Sequence, residues 1–339
     1  MTRSVMLLGA GASAASDFHL PTMSGFFATD LSAQPELAKF LATLYPGQPP
    51  EAYNLEEVLG FVDLSRNRDP LWALHAGAVA HRIDARLLFD LLFQYVRLRL
   101  APRMDRACSL HTRLFKSLEP RDSIVTLNYD LVADKTLQEL ERTPDGKQPA
   151  PDSRWVRLGD LINGQSFIGW QPVGLMPNET ENGFYLKLHG SLDWIYCPTR
   201  ECPNHQTFFP TNLSNPAGSE EGKPCRSCGT SLRTFLIPPV AVKRLDDSGR
   251  LALLWNLTLR EIQRADRLVV IGVSFAPSDF ELRWLLRQAV LLRDSRSLEV
   301  HLVNPSDDDR AEARKILPGI GHAIIEYDSV EKYLAHVGR

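Results

Sequence analysis

His189 stands at the end of an apolar run in the stretch YLKLHGSLDW (185–194), and four cysteines follow it closely. An imidazole has a reference pKa of about 6.5, so it can take a proton from water or a hydroxyl near neutral pH. Cys197 and Cys202 are separated by four residues and Cys225 and Cys228 by two, with about twenty between the pairs. Two short-spaced pairs across such a loop suit a tetrahedral site of four thiolates, the arrangement of a structural zinc ion. The stretch around them is rich in Pro, Gly and Ser and poor in apolar residues. It cannot bury a core of its own, so a metal is the expected staple. Four unrelated free cysteines are the competing reading. Cys108 stands alone in a helical pattern, as a small buried apolar residue would.

Two further groups of residues could meet a ligand. The apolar run at 4–8 breaks at Gly9-Ala10-Gly11-Ala12-Ser13, a tight turn after a buried strand. Glycines there can let backbone N–H groups approach a phosphate, or can simply make the turn. A third glycine at the dinucleotide-fingerprint spacing is missing. Ile124-Val125-Thr126-Leu127 leads into Asn128-Tyr129-Asp130, polar groups where a strand should end. Ligands bind at that end of open α/β sheets, but Asn and Asp also cap helices.

The elements that must position these groups alternate. Strand-like TFLIP, RLVVIG, LEVHLV and AIIEY are each followed by a helical pattern, the last beginning SVEKYLAHV. Ser278 with Glu281, and Ser306 with Asp309, have capping-box-like spacing at two helix starts. This alternation predicts an α/β fold, a Rossmann-like parallel sheet with helices on both faces. Residues 35–118 carry helical periodicity and few strand signals, which predicts a helical insertion with Trp72, Phe89, Phe93 and Tyr95 as packing residues. Residues 141–183, rich in Pro, Gly and Asn, read as a long irregular connection. The expected organisation is a sheet domain from 1–34, 119–196 and 233–339, the insertion at 35–118, and a zinc module at 197–232.

A chain of 339 residues with 44% hydrophobic content can bury a sizeable core. Its net charge of −3 gives no basic field for nucleic acid or an anionic membrane. No run reaches the length of a membrane span, and the first apolar run is too short for a secretory signal. Cysteines in metal spacing rather than a disulfide framework fit a reducing compartment, so a cytoplasmic protein is expected.

GAGAS at 9–13, TLNYD at 126–130, LHGS at 188–191, the paired cysteines, VIGVSF at 270–275 and VNP at 303–305 together resemble the sirtuins. They look most like the divergent bacterial SIR2-like branch. The resemblance implies a Rossmann-like NAD domain with inserted helical and zinc modules. By similarity, Gly9, Ala10, Gly11 and Ser13 would hold the pyrophosphate. Asn128 would lie near the nicotinamide ribose and its attacking water, and Asp130 near the carboxamide. His189 would be the catalytic imidazole, Gly272 and Ser274 would contact the phosphate side, and Asn304 the adenosine ribose. Cys197, Cys202, Cys225 and Cys228 would bind the zinc.

The departures are informative. LPTMSGFF (20–27) lacks the Asp-Phe-Arg core of the deacylase segment GIPDFRS. Leu127 stands where deacylases have glutamine, and LIPPVAVKR (236–244) lacks the FGE that clamps a peptide. These changes spare the NAD-facing positions, which favours hydrolysis of NAD to nicotinamide and ADP-ribose over deacylation. The branch implies an abortive anti-phage effector working as a homo-oligomer or beside a separate sensor or NTPase subunit. A sirtuin-type deacylase or ADP-ribosyltransferase, and a non-catalytic NAD or ADP-ribose sensor, are the alternatives.

Overall fold

A computed structural model describes residues 2–29, 31–67, 75–76, 81–82, 85–100, 106–140, 155–157, 183–205, 209–210, 221–237, 249–293, 297–317 and 323–338. The chain opens with β1 (Ser4–Leu8), which runs into the short helix α1 (Ala10–Ala14). Helices α2 (Pro35–Leu44), α3 (Leu55–Asn67) and α4 (Ala85–Leu100) follow, with the small hairpin β2 (His75–Ala76) and β3 (His81–Arg82) between the last two. Next come α5 (Ser109–Lys116), β4 (Ser123–Thr126), α6 (Val132–Leu140), β5 (Trp155–Arg157) and β6 (Gly183–Lys187). Strands β7 (Gly190–Tyr196), β8 (Phe209–Pro210) and β9 (Arg233–Leu236) then surround the cysteines. The rest is α7 (Gly249–Arg264), β10 (Arg267–Ile271), α8 (Phe280–Leu291), β11 (Glu299–Val303), α9 (Asp307–Ile316), β12 (Ala323–Tyr327) and α10 (Val330–Val337).

Seven of these strands form one parallel sheet in the order β12-β11-β10-β1-β4-β6-β5. Its central strands β1, β10 and β11 read as near-continuous apolar runs because both faces are covered, with the buried His301 of β11 as an exception. Along β1, Val5 and Leu7 enter the core under α7, α8 and α9. Met6 and Leu8 enter the opposite core with α2 to α6 and α10. All four are essentially fully buried, each contributing on the order of 1.5–3 kcal/mol. This is the α/β sandwich that the alternation predicts.

The helices between 35 and 100 do not form a separate core. Leu37, Phe40, Val58, Leu59, Leu88 and Leu92 join the cluster that covers one face of the sheet. Phe89 and Phe93 stack at 4.2 Å, and Tyr95 stacks on Phe27 at 5.5 Å, as packing residues do. Trp72 lies outside the described residues, as does most of 141–183 apart from β5. Among the described residues no helix is long and apolar enough to cross a membrane.

Two local expectations are corrected. The strand within TFLIP is not part of the parallel sheet: β9 pairs antiparallel with β7 in a three-stranded sheet ordered β8-β7-β9. Its burial pattern explains this, since Arg233 is exposed and Thr234 and Phe235 only half-buried, unlike the strands covered on both faces. At α8 the residue before the helix is Asp279, one later than the capping serine expected at 278, and its side chain makes no capping bond. Ser306 does cap α9, its hydroxyl accepting the Asp309 N–H at 3.2 Å.

Candidate functional site

Register brings the candidate residues to one edge. Leu8 lies beside Thr126 and Ile271, Ile271 beside Val303, and Thr126 beside Lys187. The strands therefore end in a row, and the residues just beyond them gather at the C-terminal edge of the sheet. The crevice there lies between β1, whose connection runs toward β4, and β10, whose connection runs toward β11. That is where an open α/β sheet binds ligands. A cleft of about 820 Å³, measured out to its open mouth, occupies the place. Gly9, Ala10, Ser13, Asn128, Asp130, His189, Gly272 and Ser274 all line it.

The glycines serve a crossing of two turns. Gly9 donates its N–H to the Ile271 carbonyl and Gly11 donates to the Gly272 carbonyl, both at 2.9 Å. A Cβ on Gly9 would sit 2.5 Å from the Gly272 oxygen, and one on Gly11 2.6 Å from the Gly272 Cα. Gly272 itself has φ 62°, in the left-handed region. The sequence suggests amides left open for an anion, but these two are spent on the neighbouring turn. Gly11 is not among the cleft-lining residues, and neither is Asn304. The Asn304 amide donates to the Val273 carbonyl and to Asp309, both at 3.1 Å, and its oxygen accepts the Ser306 N–H. It ties the β11 turn to the β10 turn.

Asn128 reaches across from the end of β4. Its side-chain amide donates to the Gly9 carbonyl and to the Ser13 hydroxyl, each at 2.9 Å. Both amide hydrogens are thereby committed, so what Asn128 can offer a ligand is its carbonyl oxygen, an acceptor for a water or hydroxyl proton. Asn128 caps no helix. Asp130 does part of that work, accepting the N–H of Val132 at the start of α6 at 2.9 Å. The Ser13 hydroxyl also bonds the Asp130 carboxylate. Burial raises the Asp130 carboxyl above its ordinary value, opposed by the charge of Lys187 and these hydrogen bonds.

His189 is held just past β6. The Leu188 N–H donates to Thr126 at 3.0 Å, and the His189 carbonyl accepts the Ile237 N–H at 2.8 Å. Gly190 must follow: its φ is 84°, and a Cβ there would meet the Phe235 oxygen at 2.3 Å. The imidazole lies between the rings of Tyr129 at 6.4 Å and Trp255 at 6.2 Å. Its Nε2 stands 3.7 Å from the carboxylate of Asp279, which also lines the cleft. The Tyr129 hydroxyl donates to the Ile237 carbonyl. Burial, with the charges of Asp279 and Glu56 adding, keeps this phenol well above its usual value and therefore neutral.

Sequence reasoning missed Asp279 and Glu56. Asp279 reads as part of a helix start, and Glu56 as a first-turn acid of α3. Neither carries a local signal of its place in the cleft. Beneath the cleft, Lys187 is only 2% exposed, and its ammonium donates to the Asp130 carbonyl at 2.7 Å and to Asp134 at 2.6 Å. Tyr185 also donates to Asp134, at 2.9 Å. This buried network fixes the turn that carries Asn128.

The four cysteines converge. Cys197 and Cys228 bring their sulfurs to 3.4 Å, Cys202 and Cys225 to 3.7 Å, and all four lie within 4.8 Å of one another. A tetrahedral ion with metal–sulfur bonds of about 2.3 Å needs sulfurs roughly 3.8 Å apart, so this is a possible metal site compatible with structural zinc. Asn204 supports it, its backbone N–H donating to Cys202 and its side chain to Cys225, both at 3.4 Å. Bonds to the ligand sulfurs of this kind orient them. β7 joins the cluster directly to His189.

The arrangement as a whole offers an imidazole beside a carboxylate, an amide oxygen acceptor and a partly apolar open cleft. No protein-family model matches the chain, and no curated protein matches it.

Proposed function

We propose that the chain is a sirtuin-like NAD+ glycohydrolase that hydrolyses NAD+ to nicotinamide and ADP-ribose. The observation that carries the reading is the meeting of Ser13, Asn128, His189 and Ser274 in one cleft at the sheet's switch point. These residues come from four separate motifs of the sirtuin-like set. The bond between nicotinamide and ribose C1′ breaks with its electron pair leaving on the pyridine nitrogen, and an oxocarbenium-like sugar develops. A water held by the Asn128 oxygen bonds to C1′, and its proton passes to His189. Gly9, Ala10 and Ser13 bound the cofactor's phosphate side from one turn, Gly272 and Ser274 from the other. Asp130 anchors the neighbouring turn after β4 and would face the carboxamide.

The four cysteines hold one structural zinc ion in this reading and take no part in the chemistry. Metal analysis of reduced, purified protein should give about one zinc per chain, and a metal-free folded protein would remove the assignment. The setting we favour is an effector of bacterial anti-phage defence, activated by self-assembly or a sensor subunit. Incubation with NAD+, with and without an acetylated peptide, tests the activity. ADP-ribose formed without peptide supports hydrolysis. O-acetyl-ADP-ribose formed only with peptide means a deacylase, and tight binding with neither product means a sensor.

A further inference from the structure

The structure assigns to Asp279 the role of charge partner to His189: a positioning residue that holds the imidazole and stabilises its protonated form. The inference deepens the hydrolase reading and rests on it for its catalytic meaning, but the pairing itself is a property of the folded chain.

Three observations carry it. Asp279 occupies the position before α8 where an aspartate ordinarily accepts N–H groups of its own helix, yet its side chain makes no such capping bond. Its carboxylate instead stands 3.7 Å from His189 Nε2, with side-chain exposures of only 15% and 6% for the two residues. That is an ion-pair distance once the ring carries a proton, in surroundings where solvent screens little.

The loop that presents Asp279 is also built to hold still. It begins at Gly272 with φ 62° and passes through Phe275 at φ 54°, a costly conformation for a bulky residue. The Phe275 ring is 1% exposed, and its carbonyl accepts the Arg283 guanidinium at 3.0 Å. Arg283 is held in turn by Glu312 at 2.7 Å, and the Asp279 N–H donates to Ala276 at 2.9 Å.

Facing the imidazole are the Tyr129 ring from the β4 turn, the Trp255 ring from α7 and the Asp279 carboxylate from α8. Asp130 and Glu56, the latter from α3, line the same cleft. Lys187, on the strand before His189, and Arg283, one turn beyond Asp279, are engaged elsewhere. Asp279 lies within ion-pair reach of the ring. When a water gives its proton to His189, the imidazolium forms beside a carboxylate already in place. The developing sugar cation gives up its positive charge in the same step, so the net charge of the site is conserved while it moves onto the ring.

The test is an NMR titration of the histidine rings in the whole protein without ligand, with His189 assigned by the signal lost in His189→Gln. In Asp279→Asn the midpoint of the His189 signal should move to lower pH, by on the order of one unit. Asp279→Glu should restore most of the shift. The acid limb of kcat/KM for NAD+ should move in the same direction, with kcat falling about 10-fold or more and KM little changed. An unmoved His189 midpoint in well-folded Asp279→Asn overturns the pairing. If the parent turns over no NAD+ while the midpoint still moves, the pairing stands and only the hydrolase reading fails.

Discussion

At the N-terminal end of the parallel sheet, Glu261 accepts the Arg3 guanidinium at 2.7 Å and the Ser123 hydroxyl. Asp122 accepts the N–H groups of Ser4 and Glu119 at 2.7 and 2.8 Å, and Asp266 accepts that of Arg3 at 2.8 Å. These acids are saturated by close partners belonging to the strand starts and the turns around them. At the other end, Asn128, Asp279, Glu56 and His189 surround an open cleft, and the Asp279–His189 pair stands at 3.7 Å. Both ends bury charge, but one has closed on itself and the other has kept room for a ligand. A saturated network contributes stability and specifies packing. The other end lines a cleft, and topology puts it where the strands end.

Substitutions at the two ends should separate these roles. The largest effect is expected for His189→Ala, which should lower NAD+ cleavage by on the order of 10²–10⁴-fold while leaving the melting temperature nearly unchanged. Cleavage within a few-fold of the parent in a folded variant would remove His189 from the chemistry. At the closed end, Glu261→Ala leaves the Arg3 guanidinium and the Ser123 hydroxyl without their acceptor. It should cost about 1–3 kcal/mol and lower the melting temperature by several degrees, with kcat/KM retained. A stable but inactive Glu261→Ala would mean that the two ends are not independent.

A third effect is expected at Asp193 on β7, the strand that leaves His189. Burial pushes the Asp193 carboxyl up to about 6, with the Asp134 charge adding. Unfolded, the same group titrates at about 3.9. Its contribution to stability is therefore fully present below pH 4 and is lost as pH rises from about 4 through 6, because the unfolded chain releases the proton first. Asp193→Asn removes this loss, so the variant should gain on the parent at pH 7 relative to pH 4, by no more than the roughly 3 kcal/mol that a two-unit difference carries. Urea unfolding at the two pH values measures it, and parallel behaviour of the two proteins would contradict the assigned burial.

The sequence alone determined the elements whose signal is local. The run SVMLL is β1, RLVVI is β10 and EVHLV is β11, because strands covered on both faces read as near-continuous apolar runs. Cysteine spacing foretold the cluster, since paired ligands across a short loop have few other uses. Asn128 and His189 were legible as polar groups where apolar runs end, and both line the cleft. Only the tertiary structure decided what depends on pairing between distant segments. β9 lies beside β7 rather than in the main sheet, and the Gly9 and Gly11 turn crosses Gly272. Asp279, just before α8, meets an imidazole that belongs to the turn between β6 and β7. An apolar period records which face of an element is buried, but the register between strands decides which side chains share a cleft.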